Sequence, residues 1–415
     1  LPVAHDGRSP AQLADWQSYT VDAWHEYLRA MRVAVEATLP HAVYVAGEVG
    51  CSGTPGIGHA GVADCFDLSA VPVPVACVGS GTHDAAWGAA SLTARGGGER
   101  PIMVALGFSA SPGEPVRTLT SMALAAVAEG AVAVDLPEAA YGDAEVRRLA
   151  KWLGEVEDAL TASTRLDDRV AWLDDPAHAG ADPNDLNPIA ARGQLDRGYA
   201  ADAYAAVREA GLAPVVVDPA TFVADEVNDL GALLVPTRQW VDLERYGSLV
   251  VHVLRGGNLV AFPHAPGRQR DGTSFRSTFL WPPSVATGGR VQVHDGTSSF
   301  VPEVGSGGVH RPWIEAIVDD VLPRFRVPPT MRLAITARLL PDGACLVFVV
   351  NASEEWQSGT ISVPDPEAIG VGDGFTVAVV FASSGATARG EGLGIVVAVP
   401  AGKGVVVRLS SAVDM

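Results

Sequence analysis

Positive charge is scarce in this sequence. Twenty-nine lysines and arginines stand against 48 aspartates and glutamates, a formal net charge of −19. Phosphate binding needs clustered cations, so a nucleic-acid partner is not expected. No basic amphipathic stretch is present to hold the chain on an anionic membrane. A neutral or cationic small molecule is compatible with this charge, and so is a plain role in solubility. No apolar run reaches the roughly 18 residues a membrane-spanning helix requires, and no charged-then-apolar leader opens the chain. The sequence starts at Leu1 and enters a helix almost directly, as a truncated or processed chain would. Cysteine is also sparse: Cys51, Cys65, Cys77 and Cys345. None forms a CxxC pair and no histidines cluster at ligand spacing, so no metal is expected. Three of the four fall in one short segment and read as buried thiols. A Cys51–Cys65 disulfide stays open and leaves the compartment open with it, the cytoplasm being favoured. Neither GxGxxG nor GxxxxGK[ST] occurs in the α/β region, so no nucleotide cofactor is expected.

What is present is apolar material in long alternation. Hydrophobic residues make up 48% of 415 positions and charged ones 19%, enough for two to four folded domains. Residues 11–39 read as one helix, with Leu13, Trp16, Tyr19, Trp24, Tyr27, Leu28, Met31 and Val35 near helical spacing. Pro40 stops it. Strands follow at 42–46, 71–78, 102–106 and 131–134, separated by helices over 84–94 and 115–129 and closed by a helix over 143–162. These strands are apolar throughout, which predicts a parallel sheet covered on both faces. Four such strands opened by a helix predict half of a (β/α)₈ barrel over 1–163. A small complete α/β domain is the competing reading.

A second α/β region over 164–326 has strands at 169–173, 214–218, 232–236 and 258–262, with helices over 197–210 and 241–255. That is a doubly wound pattern. From 327 to 415 the period becomes two. Strands 331–340 and 345–351 flank the turn Pro341-Asp342-Gly343, and further strands at 358–363, 375–381, 394–399 and 404–409 predict a small antiparallel β-sandwich.

Several stretches carry a family resemblance. They are Leu233-Leu234-Val235-Pro236 followed by a helix and Leu254-Arg255-Gly256-Gly257-Asn258-Leu259-Val260; Phe348-Val349-Val350-Asn351-Ala352-Ser353; Arg100-Pro101-Ile102-Met103-Val104; and Glu129-Gly130-Ala131. With the domain order, they make the chain resemble the glycoside hydrolase family 42 β-galactosidases. The resemblance implies barrel strands five to eight, a trimerisation domain related to glutamine amidotransferases, a C-terminal β-domain, a carbohydrate substrate or ligand, and a homotrimer. It also implies an acid/base glutamate before Leu1 and a nucleophilic glutamate at the end of strand seven. This sequence instead has Val104-Ala105-Leu106-Gly107-Phe108 there, and Glu114 lies eight residues beyond Leu106. Retaining hydrolysis needs two carboxyl groups about 5 Å apart, and an apolar residue at the nucleophile position removes the covalent intermediate. The middle domain has no cysteine to serve an amidotransferase reaction.

Barrel enzymes place their chemistry at the C-terminal strand ends. There the sequence offers Glu48 before a glycine-rich loop, His83 and Asp84 after the second strand, and Asp135 and Glu138 after the fourth. Glu48, Asp135 and Glu138 are the candidate catalytic carboxylates. His83, Asp84 and Trp87 are the candidate substrate contacts, with Thr82 or Asp84 equally able to cap the helix that begins there. Solvated loop carboxylates are the plainer reading of Glu48, Asp135 and Glu138. Core packing is the plainer reading of Trp16 and Trp24.

Overall fold

The computed structural model describes residues 10–39, 45–46, 73–78, 81–95, 101–106, 118–173, 204–217, 231–237, 243–263, 269, 273–274, 279–282, 288–301, 321–372 and 374–411. Helix α1 (Pro10–Thr38) is followed by β1 (Val45–Ala46), β2 (Val73–Val78), α2 (Thr82–Arg95), β3 (Met103–Leu106), α3 (Leu119–Ala128), β4 (Ala133–Asp135), α4 (Ala144–Thr161) and a short β5 (Thr164–Leu166). The first four strands form one sheet in the order β1-β2-β3-β4, every pair parallel. This is the partial barrel the alternation predicts. Coverage on both faces fails at β4, where Ala133 and Asp135 are exposed and Val132 is 49% exposed. The reason is position: β4 is an edge strand, with no fifth neighbour among the described residues.

The middle sheet contains β6 (Val170–Leu173), β7 (Val215–Val217), β8 (Ala232–Thr237), β9 (Asn258–Pro263), β10 (Gly289–Val293) and β11 (Gly296–Phe300), with α5 (Leu243–Leu254) between β8 and β9. Its order is β10-β11-β9-β8-β6-β7, parallel except for the β10–β11 hairpin. The apolar run of β6 has a simple cause. Val170 and Trp172 face a core shared with α2 and the helical residues 204–209, while Ala171 and Leu173 face the core under α5.

The β-sandwich holds β12 (Ala334–Leu339), β13 (Cys345–Asn351), β14 (Gln357–Ser362), β15 (Phe375–Ala382), β16 (Thr387–Glu391), β17 (Gly394–Val399) and β18 (Lys403–Ser411). Its sheets are β15-β18-β13-β12-β5 and β14-β17-β16. Strand β5 reaches it from the connection after α4 and pairs antiparallel with β12. All seven residues of β13 are buried because its sheet is sandwiched in turn. Cys345, Val347 and Val349 fill the β-domain's own core, whereas Leu346, Phe348 and Val350 pack with α3 and α4 of the half-barrel. The half-barrel therefore leans on the β-domain through an apolar layer, with Trp152 edge-on to Phe348 at 6.3 Å. No helix among the described residues is long and apolar enough to cross a membrane.

Candidate functional site

The C-terminal ends of β1–β4 lie on one rim, because the strands are parallel and in sequence order. Glu48 lies outside the described residues, as do Glu114, Cys51, Cys65 and the side chains of Trp16, Trp24 and Cys77. At the end of β3, Val104 and Leu106 are buried, so this strand closes on an apolar residue where the resemblance requires a carboxylate.

After β2 the chain turns into α2, and its polar residues are drawn into the protein. Thr82 is buried and its Oγ1 lies 2.9 Å from Ser121 Oγ at the start of α3; Ser121 Oγ in turn donates to Thr118 O at 2.8 Å. The Thr82 side chain thus ties α2 to α3. Asp84 folds back over Gly81, where its carboxylate fills the space a Cβ would need. His83 Nε2 lies 3.1 Å from Glu209 Oε1 of the middle domain, both side chains half-buried. Trp87, one turn further along, sits 5.0 Å from the Tyr204 ring and 5.7 Å from Trp172, and Trp172 continues the cluster to Phe262 at 5.4 Å. Two of the three candidate substrate contacts, His83 and Trp87, therefore make their observed contacts across the seam between half-barrel and middle domain. Burial pushes the Tyr204 hydroxyl far above its ordinary pKa, with Glu129 adding to the rise.

After β4 the arrangement is open. Asp135 and Glu138 are both exposed, Glu138 opening a short 3₁₀ turn over Glu138–Gly142. The turn is well anchored. Arg147 Nη1 donates to the carbonyls of Tyr141 and Gly142 at 3.0 and 2.9 Å, and Asp143 caps α4 by accepting from the backbone of Glu145 and Val146 at 2.6 and 3.2 Å. Burial opposes the charge of the Glu145 carboxylate, but hydrogen bonds from Lys403 Nζ at 2.9 Å and Ser384 N at 3.0 Å hold its pKa below the ordinary value. Asp135 and Glu138 are thus accessible carboxylates on a fixed frame.

The most heavily charged cluster among the described residues is announced by no motif in the sequence. Glu129, at the end of the wholly buried α3, has no solvent exposure. Arg165 Nη2 of β5 reaches it at 2.7 Å, Arg208 Nη2 of the middle domain at 2.9 Å, and Thr336 Oγ1 of β12 donates at 3.2 Å. Arg165 also pairs with Asp167, and Arg208 Nη1 donates to Leu212 O at 2.9 Å. Arg338 of β12 donates through Nε to Ser163 Oγ at 2.7 Å and through Nη1 to Ala128 O at 3.3 Å. Burial, reinforced by neighbouring Arg165, pushes the Arg338 pKa down to about 10. Beside this cluster Asp168 accepts from Ala213 N at 2.6 Å and Arg324 N at 2.8 Å, and burial raises its pKa against those bonds. The cluster ties half-barrel, middle sheet and β-sandwich together around a carboxylate with no solvent exposure, so its role is structural. Its one trace in the sequence is Glu129 itself, a carboxylate after ten buried helical residues. No cluster of metal-binding side chains occurs among the described residues.

No protein-family model matches the sequence, and no curated protein matches it. Solved structures do match. The β-galactosidase from Bacillus circulans sp. alkalophilus superposes with a TM-score of 0.65 at 12% identity, over 96% of this chain and 68% of that one. A β-galactosidase of glycoside hydrolase family 42 from G. stearothermophilus, solved as a catalytic mutant, gives 0.63 at 13% over 96% and 68%. The β-galactosidase of the haloarchaeon Halorubrum lacusprofundi gives 0.63 at 13% over 99% and 70%. At such identities the likeness shows the fold: this chain has the β-galactosidase-like architecture and spans about two thirds of those chains.

Proposed function

We propose that this protein is a β-galactosidase-like glycoside hydrolase acting on carbohydrate at the C-terminal rim of β1–β4. The observation that carries the proposal is the parallel order β1-β2-β3-β4, which gathers the strand ends on one rim, with Asp135 and Glu138 exposed there after β4. With Leu106 at the end of β3, the carboxylates of the reaction are Asp135 and Glu138, and Glu48, outside the described residues, is the remaining candidate from the sequence. One carboxylate attacks or activates water and the other protonates the leaving oxygen. Asp84 is the neighbouring polar contact for sugar hydroxyls. The test is hydrolysis of nitrophenyl β-galactoside and related glycosides by the wild type and by Glu48→Gln, Asp135→Asn and Glu138→Gln. The expected result is turnover by the wild type and a loss of about 10²-fold or more in at least one variant. Turnover unchanged in all three would remove these residues from the chemistry.

A second reading is favoured by Leu106 alone. Without a carboxylate at the end of β3, the protein is a relative that binds carbohydrate or scaffolds an assembly and does not cleave. Galactoside binding in calorimetry with no turnover on any substrate would establish it over the first. Self-association belongs to both readings. The middle domain's resemblance to a trimerisation domain supports a homotrimer, and light scattering that finds a monomer at micromolar concentration would count against it.

A further inference from the structure

The β-sandwich turns one sheet face to solvent. Alternate residues of β14, β17 and β16 point inward, where Ile361, Ile395, Val397 and Val399 fill the core. The register sets the outward residues in cross-strand rows, Ser358–Ala398–Thr387 and Thr360–Val396–Arg389. All six are exposed or half-buried, and apart from Arg389 their side chains are short, so the face has little relief. At one end Trp356 stands two residues before Ser358 and is 58% exposed. The backbone on both sides of it is anchored. Asn351, wholly buried, donates through Nδ2 to Glu355 O at 2.7 Å and to Val399 O at 2.9 Å. The buried Gln357 side chain donates to Ser353 Oγ at 3.2 Å and accepts from Arg332 N at 3.0 Å.

We propose that this face, with Trp356 at its end, binds a chain of neutral sugar residues away from the candidate catalytic rim. The indole offers an apolar surface to the C–H face of a pyranose, and its anchored backbone lowers the ordering cost of binding. Beyond it, the short side chains let a polymer lie along the sheet, where the hydroxyls of Ser358, Thr360 and Thr387 can both donate and accept. Charge points the same way. Around the face Arg332 and Arg389 stand against Glu354, Glu355 and Glu391, close to balance in a chain of net charge −19, and Arg389 pairs with Glu391 at 2.9 Å. An ionic ligand finds little field here, whereas mixed donors and acceptors suit sugar hydroxyls. A protein partner fits less well, because interface cores are built on clustered apolar anchors and this face has a single indole. Its Trp356 end is tied to the open end of β4. Asn351 pairs with Lys403 across β13 and β18, and Lys403 Nζ bonds Glu145 in the first turn of α4, just after the turn that Glu138 opens. The choice of carbohydrate rests on the proposed function; the binding itself requires no catalysis.

Affinity electrophoresis of the full chain in gels holding soluble β-galactan, xylan or β-glucan tests it, with turnover of nitrophenyl β-galactoside followed in parallel. At least one of the three polymers is expected to retard the wild type. Trp356→Ala should weaken that binding about tenfold, and Trp356→Phe should keep it within about threefold of wild type, because a ring can still stack. Thr360→Arg, which raises a long side chain in the middle of the face, should weaken it as well. Circular dichroism and melting confirm that each variant folds. Turnover of the small glycoside should be the same in all three, since none of them lies on the rim. Retardation by none of the polymers, or retardation that survives Trp356→Ala or Thr360→Arg, overturns the proposal and leaves the proposed function standing. Retardation lost with Trp356→Ala in a protein that cleaves no glycoside supports the proposal and counts against catalysis at the rim.

Discussion

Glu129 and Glu138 stand on either side of one short strand, β4, and their surroundings could hardly differ more. Glu129 precedes the strand, without solvent, held by two arginines and a threonine from three other segments. Glu138 follows it, exposed, on a turn anchored from below by Arg147 and Asp143. The same functional group is structural at one end and available at the other. In a parallel β/α sheet the difference is expected, because residues before the strands meet packed layers while residues after them meet the open rim. A sequence records both as a glutamate near an apolar strand.

Removing charge at the sealed end should have the largest effect. Glu129→Gln leaves Arg208 buried without its counter-charge and Arg165 with Asp167 alone, and breaking a buried pair in this way costs about 3–5 kcal/mol. We expect a large drop in melting temperature; a shift comparable to that of a surface substitution would show that the cluster does not join the domains. Trp87→Ala should come next. It opens the seam against Trp172 and Tyr204 at about 2 kcal/mol, below the range for a fully buried tryptophan because the ring is part-exposed. Lost sugar binding at unchanged stability would instead make Trp87 a ligand platform.

The Glu145–Lys403 bond sharpens the comparison through pH. A carboxylate whose folded pKa is depressed contributes stability above its unfolded value, here near 4.5, and that stability is lost as pH falls through the folded value. Wild type should therefore lose more melting temperature than Glu145→Gln between about pH 6 and about pH 3.5. Equal losses would mean that the bond between α4 and the β-domain contributes nothing. The smallest effect on stability belongs to the rim, where Asp135→Asn with Glu138→Gln should stay within about 0.5 kcal/mol of wild type.

Most of the fold was legible because its periodicities are local. The helix over 11–39 is α1 within one residue at each end, and the helix over 143–162 is α4 on the same terms. The strands of β6–β9 and β12–β13 were visible as apolar runs bounded by glycine, proline or aspartate. The misses share a cause. β10, β11 and β16 carry polar or small residues such as Arg290, Thr297 and Arg389, so no apolar pattern announces them. β5 is three residues long and borrows its stability from β12. The site was legible as positions after strands and not as contacts. Nothing local to His83 or Trp87 reveals that Glu209 and Tyr204, more than a hundred residues away, are their partners. The exposed positions of Asp135 and Glu138 after β4 were legible because strand ends can be read from sequence, and the charged junction was not because its arginines are scattered along the chain.

The most direct measurement is turnover of nitrophenyl β-galactoside by the Asp135→Asn, Glu138→Gln double variant beside the wild type, at equal folded concentration. Turnover by the wild type and none by the double variant is the predicted result, and it would set the open end of β4 apart from the sealed end by function as well as by burial. A double variant as active as the wild type would contradict the account.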